Sequence, residues 1–110
     1  MEVKAKKRIK DLPKFERPRE KLLKCGADKL SDAELLAILL RTGTKGKSAL
    51  EIAEEIIKNA GGTFKGLAGK DIEDIIKVLG VKNAKVATVA SALEISRRIT
   101  QQILREKGII

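Results

Sequence analysis

The sequence predicts an all-α fold of five helices in which one helix–turn–helix unit occurs twice. Three observations lead there. Leu, Ile, Val and Ala recur at three- and four-residue steps rather than in alternation. Glycines and capping residues punctuate each apolar run. Residues 35–56 align with residues 72–93 without a gap. At 110 residues and 43% apolar content, the chain suits one small module with a modest core.

The first 21 residues carry nine basic and four acidic side chains, a local +5 within a formal net charge of +9. Residues 1–16 are expected to form a basic, solvated arm that settles on an anionic surface or simply aids solubility. The folded domain is expected over 17–106, with repeats at about 32–60 and 71–98, and 107–110 as a C-terminal end or linker.

Pro18 suits a first-turn position, and "REKLLKCG" gives a short helix stopped by Gly26. Ser31 and Glu34 have capping-box spacing, with Leu30 and Leu35 placed as its staple. The second helix therefore runs through "DAELLAILLR" and halts before Gly43, where a positive φ is expected. Ser48 and Glu51 repeat the capping-box spacing and open a third helix, whose Ala49, Ile52, Ala53, Ile56 and Ala60 share a face before Gly61 and Gly62 end it. A loop with Phe64 and Leu67 folds back on the core. Asp71 caps a fourth helix, "IEDIIKVL", which stops at Gly80, and Asn83 caps a fifth, "AKVATVASALEISRRITQQILREK".

A shift of 37 residues sets Leu35 on Ile72, Gly43 on Gly80, Lys45 on Lys82, Ala53 on Ala90 and Ile56 on Leu93. Apolar periodicity would align any two helices in some register. The specific part is that both turns, each with its Gly and Lys, coincide in the same frame.

Composition excludes much. There is no His and one Cys, Cys25, so the ligand sets of zinc sites and the imidazole of catalytic triads are missing, as is any internal disulfide. Cys25 is expected to be a small, partly buried apolar filler. No apolar leader and no long apolar run is present, so a cytoplasmic location without membrane association is expected. Two Phe with neither Trp nor Tyr argue against recognition by base stacking. No cluster of charged residues has acid–base spacing, so neither enzyme activity nor a cofactor is expected.

The turn "RTGTKGKSAL" superficially resembles a nucleotide-binding loop, but only two residues separate Gly43 from Gly46 and what precedes it has helical periodicity. A tight turn opening into a helix does offer backbone N–H groups at the positive end of the helix dipole, a site for a phosphate oxygen. No acid lies between Arg41 and Leu50 or between Ile75 and Leu93. The candidate DNA phosphate-binding residues are Arg41, Gly43, Thr44, Lys45, Gly46, Lys47 and Ser48 at the first turn. At the second they are Lys77, Gly80, Val81, Lys82, Asn83 and Lys85. Two such turns could hold both backbones of a duplex, positioning the protein without reading sequence.

The stretches "IKDLP", "RPREKLL", "LSDAELLAILLRTGTKGKS" and "GVKNAKVATVASALEISRR" resemble the N-terminal part of the RadC family of bacterial proteins over nearly the whole chain. The resemblance implies a tandem helix-hairpin-helix domain, a DNA-repair association, and a following JAB/MPN-like domain with a metalloprotease-type zinc motif in full-length members. The usual Gly-hydrophobic-Gly core is here Gly80-Val81-Lys82, so this hairpin is expected to bind more through a side chain than through amides. The chain stops at "REKGII", about where the resemblance places that following domain, and is expected to be an isolated domain or a truncated member.

The main expectation is a sequence-nonspecific binder of double-stranded or branched DNA. The competing one is a protein-interaction module, a homodimer through the C-terminal helix, where Val89, Ala92, Ser96, Ile99 and Ile103 form a stripe that outlasts the repeat. Against it, Ile99 and Ile103 would pack on Leu12 and Phe15 of the arm or on a following domain. RNA association is a third reading, since phosphate contacts alone do not distinguish nucleic acids.

Overall fold

The computed structural model describes residues 17–43, 46–68, 73, 77 and 83–110. Among them are four α-helices, α1 (Pro18–Cys25), α2 (Asp32–Leu40), α3 (Ala49–Asn59) and α4 (Asn83–Glu106), with 3-10 turns at Ala27–Lys29 and Phe64–Leu67. The described residues contain no extended strand. The chain divides into two compact units, Met1–Leu67 and Ala68–Ile110.

In the first unit, α1 starts with Pro18 in its first turn and stops at Gly26, whose φ is 90°. Cys25 at its end is exposed, which corrects the filler expectation: the last turn of this short helix points the thiol to solvent. The capping box before α2 is complete. Glu34 N–H donates to Ser31 Oγ at 3.1 Å, and Ser31 N–H donates to the Glu34 carboxylate at 2.9 Å. Lys21 of α1 reaches the same carboxylate at 3.1 Å, joining the two helices. Burial pushes the Glu34 carboxyl up, but the Ser31 amide and then Lys21 outweigh it and hold the group below its ordinary value.

The core of this unit lies between α2 and α3. Leu36, Ala37 and Leu40 are buried from one helix and Ala49, Ile52, Ala53, Ile56 and Ile57 from the other. Each fully buried Leu or Ile contributes roughly 2 kcal/mol relative to exposure. Ala49 and Ala53 lack bulk on the buried face of α3, which favours close packing there. Two backbone bonds end α3, Gly62 N–H to Ile57 O at 2.9 Å and Gly61 N–H to Lys58 O at 3.1 Å, a pair that both glycines' positive φ permits. The chain then returns: Leu67 is buried, and Phe64 N–H donates to the Asp32 carboxylate at 3.1 Å.

The predicted helix over 72–79 lies outside the described residues except at Glu73 and Lys77, which are helical and exposed. In the second unit, α4 runs for 24 residues. It begins at Asn83, the residue expected to cap it, a difference of one position. Val86 and Val89 are buried near its start. It closes at Gly108, with Ile109 N–H bonded to Leu104 O at 2.9 Å and Gly108 N–H to Arg105 O at 3.0 Å. No helix among the described residues is long and apolar enough to cross a membrane.

Candidate nucleic-acid interface

The first turn is built by residues that cannot extend either helix. The α2 helix ends at Leu40, one residue sooner than expected, because Arg41 takes φ 68° and ψ −56°. Its neighbours close the bend: Thr42 N–H bonds Leu40 O at 2.8 Å. This is a γ-turn with positive φ, the rarer and more strained of the two forms. The positive φ expected at Gly43 is thus found at Arg41, and Gly43 is not in that region.

Gly43 has another job. A Cβ there would fall on the Lys47 carbonyl oxygen and lie 2.8 Å from Ser48 Cα and C. The absence of a side chain lets the two sides of the turn touch backbone to backbone. Gly46 does take a positive φ, 85°, at an exposed position with nothing within 4 Å of a notional Cβ.

Ser48 caps α3, its Oγ accepting from Glu51 N–H at 3.1 Å. Only this half of the expected capping box forms. The Glu51 carboxylate accepts from the Ser48 hydroxyl at 3.4 Å, so both groups of that hydroxyl are used within the helix start. Lys47 is exposed, and its Nζ lies 2.7 and 2.9 Å from the carboxylate oxygens of Glu55. The sequence separates basic turns from acidic helix interiors, yet folding brings Glu55 back over the turn. That pairing spans eight residues and has no signature in the three- and four-residue spacings by which charge pairs on a helix are recognised.

Arg41, Gly43, Gly46, Lys47 and Ser48 are therefore gathered in one bend, with Arg41 and Lys47 exposed. Thr44 and Lys45 lie outside the described residues. So do Gly80, Val81 and Lys82 of the second turn. Lys77 is helical and exposed, Asn83 opens α4, and Lys85 is half-buried. Among the described residues, no group of three or more His, Cys, Asp or Glu side chains is placed to hold a metal ion.

On α4, Ile95, Ile99 and Ile103 are 59%, 52% and 45% exposed, a row at four-residue steps. Ile95 was not part of the stripe read from the sequence. Beside the row, Glu94 accepts hydrogen bonds from Arg97 at 2.6 and 2.8 Å and from Arg98 at 2.9 Å. The Arg97 bonds first, then those of Arg98, hold the Glu94 carboxyl at about 2.

Comparison with known proteins gives a family. The profile described as UPF0758 N-terminal matches residues 9–87. UPF0758 proteins of Acidovorax sp. (strain JS42) and Clostridium kluyveri are each 44% identical to this chain, over 114 and 91 residues that cover 92% and 83% of it. That of Shewanella sediminis is 46% identical over 102 residues, 93% of the chain. The matched regions cover 48%, 40% and 45% of those relatives, so the chain spans about half the length of the curated proteins it matches. No solved structure matches the chain.

Proposed function

The chain belongs to the UPF0758 family, a RadC-like group, and on that premise we propose that it is a non-enzymatic, sequence-tolerant DNA-binding module that holds backbone phosphates. The turn from Arg41 to Ser48 carries this reading: a bend closed by Gly43 on the backbone of Lys47 and Ser48, flanked by two exposed cations, leading into the start of α3. Phosphate contacts of this kind position a protein without reading bases. They suit a chain of net charge +9 with neither Trp nor Tyr. In this reading the sequence repeat makes a tandem helix-hairpin-helix domain, with Gly80, Val81, Lys82 and Asn83 as the second clamp on double-stranded or branched DNA. Cytoplasmic DNA repair is the setting that the family resemblance implies.

The Lys47–Glu55 pair does not defeat the clamp. An exposed ion pair is worth about 0–1 kcal/mol, so a phosphate can displace the carboxylate. If about four to six phosphates are engaged, the slope of log affinity against log salt lies at about −4 to −5. Replacing Lys45 and Lys47 with Glu should weaken binding to every duplex alike. A double variant that binds as well as the parent chain would refute the clamp.

The exposed row on α4 favours a second reading, self-association. Ile95 and Ile103 are equidistant from Ile99 along the helix. An antiparallel two-fold pair would set Ile99 against its copy and Ile95 against Ile103. Sedimentation at several concentrations tests it: an Ile99→Lys variant should abolish any dimer, and a parent chain that stays monomeric throughout removes the reading.

A further inference from the structure

Among the described residues, Arg41 is the one non-glycine residue at a positive φ, 68° with ψ −56°. An L residue held there is strained, and such strain persists only where the surroundings impose it. Glycine would occupy the position freely, and the same bend already uses glycine at positions 43 and 46. The strain at Arg41 therefore needs a cause, and the side chain that bears it needs a use.

The cause lies on both sides of the bend. On the α2 side the chain is fixed up to Arg41, whose N–H donates to Ala37 O at 3.0 Å, over the buried Ala37 and Leu40. On the α3 side Ser48 is fixed by its cap, its Oγ accepting from Glu51 N–H at 3.1 Å and its carbonyl from Ile52 N–H at 3.0 Å. Gly43 joins the two sides, because no Cβ stands between its backbone and that of Lys47 and Ser48. A helix continued through Arg41 would carry Thr42 N–H to Ile38 O and advance the chain along the axis of α2. Instead Thr42 N–H turns back to Leu40 O at 2.8 Å. Two residues past Arg41, at Gly43, the backbone already meets the start of α3.

The use follows from where this leaves the side chain. In a continued helix Arg41 would stand on the surface of α2. In the γ-turn it stands in the bend itself, exposed, on the other side of the Gly43 contact from the exposed Lys47.

We infer that Gly43 is a positioning residue that acts through Arg41: its contact with the Lys47 and Ser48 backbone holds Arg41 in the γ-turn and so sets the guanidinium for phosphate. The part that concerns phosphate rests on the DNA-binding reading above. The coupling between the two residues does not.

The parent chain is read first, by the three-bond HN–Hα coupling and the carbon shifts of Arg41, which report a positive φ without any variant having to fold. Gly43→Ala should return Arg41 to negative φ. Ser48→Ala, which loosens the same contact without adding an atom, should move it part of the way, and Gly46→Ala should leave it in place. Stability forms a double-mutant cycle. Arg41→Gly, neutral or better in the parent, should raise the unfolding equilibrium constant about two- to fivefold in the Gly43→Ala background, since only the entropy cost of glycine is left there. Duplex affinity forms a second cycle. Arg41→Gln and Gly43→Ala should each weaken binding roughly two- to fivefold, the worth of one exposed charge pair, and together no more than either alone.

A negative φ at Arg41 in the parent, a positive φ retained in Gly43→Ala, an equal displacement in Gly46→Ala, or additive effects in either cycle would overturn the inference. A parent chain that binds no duplex would sink the DNA reading and leave the stability cycle to decide the coupling.

Discussion

Lys47 Nζ stands 2.7 Å from one carboxylate oxygen of Glu55 and 2.9 Å from the other, so an acid on α3 sits over the cation that the preceding turn offers. Both side chains are nearly half exposed, and the pair adds little to stability. Glu55→Gln should change unfolding free energy by less than about 0.5 kcal/mol while tightening duplex binding about two- to fivefold, since a competing anion is gone. Denaturant unfolding and fluorescence anisotropy at fixed salt check the two halves; weaker binding in this variant would mean that Lys47 does not meet phosphate.

Gly43 and Gly46 lie three residues apart, yet substitution should act on them by different routes. Gly43→Ala drives a Cβ into the Lys47 carbonyl and should cost about 2 kcal/mol or more, as overpacked contacts do. Gly46→Ala meets no neighbour and should cost roughly 1 kcal/mol, from the left-handed backbone alone. Urea unfolding of both variants measures the difference; equal losses would contradict the close approach at Gly43.

Arg41 holds a positive φ without being glycine. Arg41→Gly should relieve roughly 1–2 kcal/mol of strain against about 0.5–1 kcal/mol of added unfolded-state entropy. The variant should therefore be as stable as the parent chain or slightly more so, while binding DNA less well. Thermal unfolding and a duplex titration at fixed salt together make the check, and a clear loss of stability would argue against the strained turn.

On α4, Arg97 first and Arg98 second hold Glu94 at about 2, against an ordinary 4.5. A carboxyl depressed in the folded state stabilises above its unfolded value and loses that contribution as pH falls through the folded one. Helix content should then decline from about pH 4.5 toward about pH 2. The group is fully exposed, so the decline should be small and flatten with salt. Circular dichroism of the parent and of Glu94→Gln compares them; the same acid-side slope in both would remove Glu94 as its cause.

Ser31→Ala removes the hydroxyl that closes the capping box and should cost about 1 kcal/mol. Because Lys21 holds the same Glu34, the loss should reach α1 as well. Hydrogen exchange at the amides of residues 19–25 would register it, and protection unchanged there would show the two helices to be uncoupled.

Residue spacing by itself determined the all-helical class, the starts of α1, α2 and α3, and the buried face of α3. These depend on neighbours three or four positions apart, where a capping hydroxyl or an apolar stripe acts within one or two helical turns. Tertiary structure alone decided the rest. It moved the positive φ to Arg41, turned Gly43 into a point of backbone contact, and laid Glu55 over Lys47. Such features join residues through space after the helices have packed, and no local periodicity encodes them.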